Sequence, residues 1–220
     1  MSILSVVLIV WVMRSVPAFP GQERGASVPI RRTLRLPGVV PVLFVTLTFV
    51  LAHNVLYTYI APFLARIGMR DVVDVVLLVF GAASLISIAI TGVLIDRRLR
   101  PLMIGSCALF AGACLCLGIA GETVWLVFVG ATVWGLAFGG AATLLQTASA
   151  EAAGAAGDVA QSLVVTCWNI GIAGGAILGG LLLDSADAGS LPWAAFILVA
   201  AALVATSASR RHGFPNPLRK

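Results

Sequence analysis

Charge is scarce in this sequence. Of its 220 residues only 10% are Asp, Glu, Lys or Arg, against about 25% in an ordinary soluble domain, and 60% are hydrophobic. Such a chain cannot cover a folded surface with polar groups in water, which excludes a soluble domain and points to an integral membrane protein. Cysteine is also sparse. Cys107, Cys114, Cys116 and Cys167 all fall inside apolar runs with no loop partner. That argues against a disulfide framework or a zinc site and reads them as small polarisable packing residues. No GxxxxGK[ST] phosphate loop occurs and there is no room for a nucleotide-binding fold, so any transport must be passive or driven by a gradient. Neither GxSxG nor HExxH occurs, and there are two histidines in all, His53 and His212. An intramembrane enzyme would need a nucleophile–base pair or metal ligands at depth. The sequence therefore reads as a non-enzyme, and no cofactor or metal is expected.

What is present is a series of long apolar runs. Stretches without Asp, Glu, Lys or Arg fall near 38–61, 75–95, 101–121, 123–147, 159–183 and 191–209. Each is long enough to span a bilayer as a helix. They lack the alternation of a barrel strand, so backbone bonding inside lipid leaves helices. The expected fold is all-α and membrane-embedded: a six-transmembrane-helix bundle over 38–209, with the second span drawn as 72–95. The lipid bilayer is its first partner. Residues 1–13 are apolar but rise only about 20 Å as a helix, short of a core of about 30 Å. They lack the basic start of a signal peptide. They read as a partial transmembrane helix whose beginning is missing. Residues 14–37, with Pro17, Pro20, Gly21, Gly25 and Pro29, read as a surface linker with a short interfacial helix near 30–36. Residues 210–220 form a tail.

Arginine sets the expected orientation. Five basic residues lie in the linker (Arg14, Arg24, Arg31, Arg32, Arg35), three at 97–100 and four in the tail (Arg210, Arg211, Arg219, Lys220). Alternating helices put these twelve on one side and only Arg66 and Arg70 on the other. By the positive-inside rule the linker, the 97–100 turn and the C-terminal tail are cytoplasmic, while Glu122 and the acids near 184–187 lie outside. The net charge of +5 is thus an orientation signal. No basic stripe with interleaved aromatics appears, and nucleic acid is not an expected partner. Thirteen arginines against one lysine, with abundant alanine, suggest a GC-rich bacterial source and hence a plasma-membrane location.

Glycine marks close helix contacts. Gly171, Gly175 and Gly179 recur every four residues, lining one helix face with hydrogen atoms so that a neighbour's backbone can approach. Gly135 and Gly139 repeat the device, as does the trio Ala108, Gly112 and Cys116. Such faces serve packing and also permit sliding.

Polar side chains at membrane depth are functional candidates. His53 and Tyr57, four residues apart, share a helix face, with Asn54 beside them. His53 is the titratable group nearest a span's centre, tyrosine and cysteine aside. It suits proton uptake, solute binding or an interhelical hydrogen bond. Gln146 and Asn169 need partners or a water-filled cavity. Trp134 and Trp168 lie too deep for an interfacial belt, whereas Tyr59 fits one. The expected lining set is His53, Asn54, Tyr57, Gln146 and Asn169, facing a small solute. Asp96 sits at a helix C-terminus, where the dipole disfavours an acid. It calls for Arg97, Arg100 or another helix's N-terminus as a partner, either in a solvated turn or in a gate.

The stretch Gly92-Val93-Leu94-Ile95-Asp96-Arg97-Arg98-Leu99-Arg100-Pro101 resembles the cytoplasmic loop motif of the major facilitator superfamily, G-x-L-a-D-R-x-G-R-[KR]. Gly92, Leu94, Asp96, Arg97 and Arg100 match; Leu99 and Pro101 depart from it, as in the degenerate copy of the second half. Tyr57 to Leu64 with Phe80-Gly81, and Asn169 through Gly180 to Asp184, are similar to the seventh, eighth and eleventh helices of the sugar-efflux and drug:proton antiporter branch. The resemblance implies the C-terminal six-helix half of a major facilitator fold, with 1–13 closing the sixth helix. It implies proton-coupled efflux of a sugar or small drug-like solute by alternating access, with Gly92, Asp96, Arg97 and Arg100 in the cytoplasmic gate. It further implies a missing N-terminal half or a second copy as partner. The rival expectation is a non-transporting scaffold or regulatory half.

Overall fold

The computed structural model describes residues 2–15, 28–119, 123–210 and 212–214, and every regular element among them is a helix. In lipid the backbone finds no water, and helices keep its polar groups bonded internally. Four helical segments are long and apolar enough to cross a membrane: Val39–Thr58, Arg70–Ile119, Val124–Ala186 and Ala188–Ala208. Two of them contain breaks, and those breaks decide the architecture.

Helix α1 (Ser2–Ser15) is apolar and exposed along Val6 to Met13. α2 (Ile30–Thr33) is a single turn within the stretch expected to hold an interfacial helix. α3 (Val39–Thr58) has 20 residues, about 30 Å of rise, which equals a bilayer's hydrocarbon thickness. Tyr59, with φ −115° and ψ 22°, separates it from α4 (Ile60–Arg66).

α5 (Val73–Ile119) has 47 residues and would measure about 70 Å if straight. It is not straight: Arg98 leaves helical geometry at φ −137°, ψ 30°. Contacts with α6 (Val124–Phe138) and α7 (Ala141–Ala153) show the result. Gly135 lies against Phe80 and Ala83, Gly139 against Ser84, and Gly140 against Thr91, so the numbers rise together. On the other arm Leu126 meets Cys116 and Gly130 meets Ala113 and Leu117, so they run oppositely. The arms 73–97 and 99–119 are therefore antiparallel, reversed at one residue. Pro101 falls in the first turn of the second arm, where its missing N–H costs nothing.

The fourth apolar run is not one rod. α6 and α7 are separated at Gly139–Gly140, then a 3₁₀ turn, Gly154–Ala156, leads into α8 (Gly157–Ala186). A second turn, Ala188–Ser190, leads into α9 (Leu191–Ala208). α3 occupies the centre, packing on α8, α9 and α7 and touching α5 through Phe49–Phe110 and His53–Phe80 ring contacts. The main core joins Phe49, Phe110, Trp134, Met103 and Leu145; a smaller one joins Val39, Leu43, Ala153, Ala156, Ala160 and Val164.

The two ends differ in charge. At one, Val28 and Leu36 of the linker pack on the smaller core at the α7–α8 turn. There Gly38, at φ +99°, admits the backbone of His212 and Gly213, and Arg100 donates to the Ser207 and Phe214 carbonyls at 2.9 and 3.3 Å. This end carries Arg31, Arg32, Arg35, Arg97, Arg98, Arg100 and Arg210. The other end carries Arg66 and Arg70, with Arg66 Nε donating to Asp187 at 2.8 Å. Arg24, Arg211, Arg219, Lys220 and Glu122, also assigned sides from sequence, lie outside the described residues, as do Pro17, Pro20, Gly21 and Gly25.

Candidate substrate-lining face

The spacing of His53 and Tyr57 on α3 brings their rings together, with centroids 5.2 Å apart and planes at 21°. Phe138, the last residue of α6, stacks on His53 at 3.5 Å, while Trp134 and Phe80 close around it at 5.2 and 5.8 Å. His53 is 7% exposed and Trp134 fully buried, and among the described residues neither His53 Nδ1 nor Trp134 Nε1 has a hydrogen-bond partner. In this conformation His53 Nδ1 makes no interhelical bond. Tyr57, 45% exposed, is the open edge of the ring cluster.

Asn54 points elsewhere. Its Nδ2 donates to the Val50 carbonyl at 2.9 Å, and its Cβ lies under Gly175 in the α3–α8 seam. The structure thus separates Asn54 from the His53–Tyr57 cluster, because adjacent helical residues point about 100° apart. Gly171, Gly175 and Gly179 are all buried in that seam. A Cβ on Gly175 would come within 2.6 Å of the Asn54 Cβ and 2.8 Å of the Leu51 carbonyl. The stripe Ala108, Gly112 and Cys116 is different: Gly112 faces open space and Ala108 is exposed. At Ala108 and Gly112 that face looks outward, while Cys116 at its end meets Leu126 of α6.

Gln146 is exposed on α7 with Thr143 three residues before it. On α8, Ser162, Thr166 and Asn169 form an exposed stripe, with Thr166 Oγ1 donating to Ser162 and Asn169 Nδ2 to Val165, each to a carbonyl at 2.8 Å. α3, α7 and α8 adjoin one another. Tyr57, Gln146 and Asn169 are therefore exposed polar groups at membrane depth on three neighbouring helices.

Around the loop motif, Gly92, Asp96 and Arg97 are exposed, and Asp96 forms no ion pair among the described residues. Arg100 instead caps the C-terminal end of α9. The expected Asp96–arginine ion pair is not formed among the described residues, and Arg100 is turned to the Ser207 and Phe214 carbonyls.

Two features escaped the sequence reading. Tyr59, assigned to an aromatic belt, donates its hydroxyl to the Ala176 carbonyl at 2.7 Å and rests its ring on Gly179 and Gly180. The paired glycines were the available signal. Secondly, Ser84, Ser87 and Thr91 of α5 face the α6–α7 break. Ser87 Oγ accepts the Gly140 N–H at 3.2 Å, and Ser84 Oγ donates to Phe80 and Gly135 carbonyls at 2.9 and 3.3 Å. Their spacing of three and four residues in an apolar run was the signal. A hydroxyl that bonds a freed backbone group is what lets a helix break inside a membrane.

The described residues thus form a bundle of apolar helices that exposes polar side chains on three adjoining helices. Sequence comparison supplies the family. The chain belongs to the Major Facilitator Superfamily, whose profile it matches over residues 1–160 and over 70–216. Among its relatives, a "Probable sugar efflux transporter" of Mannheimia succiniciproducens is 26% identical over 212 residues, covering 92% of this chain and 51% of the relative. A "Purine ribonucleoside efflux pump NepI" of Salmonella paratyphi B is 28% identical over 193 residues, covering 84% and 47%. A "Probable sugar efflux transporter" of Helicobacter pylori is 26% identical over 182 residues, covering 81% and 46%. The chain spans about half the length of these relatives.

Proposed function

We propose that this chain is one lobe of a secondary efflux transporter for a small hydroxylated solute, sugar-like or nucleoside-like, working by alternating access. Its partner in that reading is a complementary N-terminal half or a second copy. The observation that carries the reading is the polar face. Gln146 and the oxygen of Asn169 would be costly against lipid, so water or a facing lobe must cover them. Tyr57 is exposed on the adjoining α3, with the ring cluster behind it. The reversal at Arg98 and the turn at Gly154–Ala156 support counting six crossings, the architecture of a major facilitator half. The basic end, with the linker, the 97–100 hinge and residues 207–214, is then cytoplasmic. Proton coupling in this scheme falls to His53, which lies in the second half of α3 with Nδ1 unpartnered among the described residues. Asp96, Arg97 and Arg100 act at the cytoplasmic mouth, where Arg100 must leave the α9 carbonyls before it can meet Asp96.

The test is flux in proteoliposomes, with the chain reconstituted alone and beside an N-terminal half from a relative, using arabinose and inosine as probes. Flux is expected in the paired preparation and should fall at least tenfold when Gln146 and Asn169 are both changed to Leu. Flux unchanged by those substitutions would remove the polar face from the pathway. A second reading is a scaffold or regulatory lobe. It would gain if neither preparation moved either solute.

A further inference from the structure

α3 supplies a ruler. Its 20 residues rise about 30 Å, the hydrocarbon thickness, so its first residue, Val39, marks the boundary of the apolar layer. α2 ends only a few residues before that boundary and so lies at the level of the lipid headgroups. Its helical geometry runs on to Leu34, whose N–H bonds the Ile30 carbonyl at 2.9 Å. Ile30 and Leu34 therefore share a face, and they are 58% and 38% exposed. The opposite side is anchored: Thr33 is fully buried, and Leu36 packs on the small core at the α7–α8 turn. Arg31 and Arg35 lie beside the exposed pair, and Arg32 follows on the side away from it. All three are exposed, and none forms an ion pair among the described residues. Among the described residues the carboxylates at this end are Asp96, Glu151 and Asp158, against seven arginines.

We infer that the Ile30–Leu36 turn is a docking site for anionic phospholipid. Ile30 and Leu34 enter the upper acyl region while the three guanidinium groups hold the phosphates above them. A short apolar pair flanked by arginines at the interface is the arrangement that binds a bilayer surface, with arginine stems lying along the apolar layer and their heads in the headgroups. Anionic lipid is the occupant because the local charge is positive and unpaired. Docking on the α7–α8 turn then ties that turn to the leaflet's charge.

The test measures the preference of the full chain for spin-labelled phosphatidylglycerol over phosphatidylcholine in vesicles at low salt. A basic residue near an anionic surface changes partitioning about fivefold. The Arg31→Gln, Arg32→Gln, Arg35→Gln triple variant should therefore lose most of the preference. The corresponding triple Lys variant should retain it, and Arg70→Gln at the opposite end should leave it unchanged. Circular dichroism confirms that each variant is folded. A wild-type chain without the preference, or a folded triple Gln variant that keeps it, overturns the inference. Neither result depends on whether solute moves.

Discussion

His53 is held by rings. Phe138 lies flat on one side, Tyr57, Trp134 and Phe80 complete the enclosure, and Nδ1 is left without a partner. An orphaned buried polar atom costs about 1–3 kcal/mol, so retaining an imidazole here needs a reason. His53→Phe keeps the stacking and removes the orphan. It is expected to leave the thermal melt of the solubilised chain unchanged or raised by about 1 kcal/mol. His53→Ala and His53→Phe should both flatten the pH profile of solute flux in the paired preparation. An unaltered profile with either substitution would return His53 to a packing role. The residue scale also shows where spacing informs and where it misleads. Four residues put His53 and Tyr57 on one face, as a helix must. One residue put Asn54 in a different seam, so adjacency in sequence was no guide to a shared site. Tyr59 read as a belt residue because nothing local announces a carbonyl 117 positions away.

At the level of helices, glycine spacing identified the α3–α8 seam, because only a row of missing side chains lets two backbones come so near. The same argument failed for Gly112, whose face is open. A period of four marks a smooth face without saying which neighbour, if any, uses it. The two glycines therefore give opposite predictions. Gly175→Ala should destabilise by about 1–3 kcal/mol, through collision with Asn54 and the Leu51 carbonyl, and Gly175→Leu should block folding or flux. Gly112→Ala should be tolerated in the same melting assay. Equal behaviour of the two Ala variants would remove the close-approach account of the seam. The break at Gly139–Gly140 was not legible as a break, since glycine pairs also serve packing. It became interpretable only once Ser87 was seen to accept the Gly140 N–H. At the far end, the Gly189 N–H and Arg66 hold the Asp187 carboxyl below the usual carboxylate range. Their contact is complete above the ordinary carboxylate pKa and opens as pH falls through the lowered value. Both groups are exposed, so that clip locates the α8–α9 turn and adds little to global stability.

For the molecule as a whole, composition alone required helices in lipid, and the arginine asymmetry divided the ends as the contacts do. What sequence could not supply was which helices adjoin, because α3, α7 and α8 meet across long separations in the chain. A reporter on the C-terminal tail should be protected in intact cells and reached only after permeabilisation; a tail labelled from outside reverses the proposed orientation. The reversal at Arg98 carries a mechanical consequence. Two long arms joined through one non-helical residue have no slack between them, so neither can be drawn past the other like a piston. Whatever motion this bundle undergoes must swing the pair together, as a V pivoting from its apex, and that apex is also where the arginines of the loop motif are gathered.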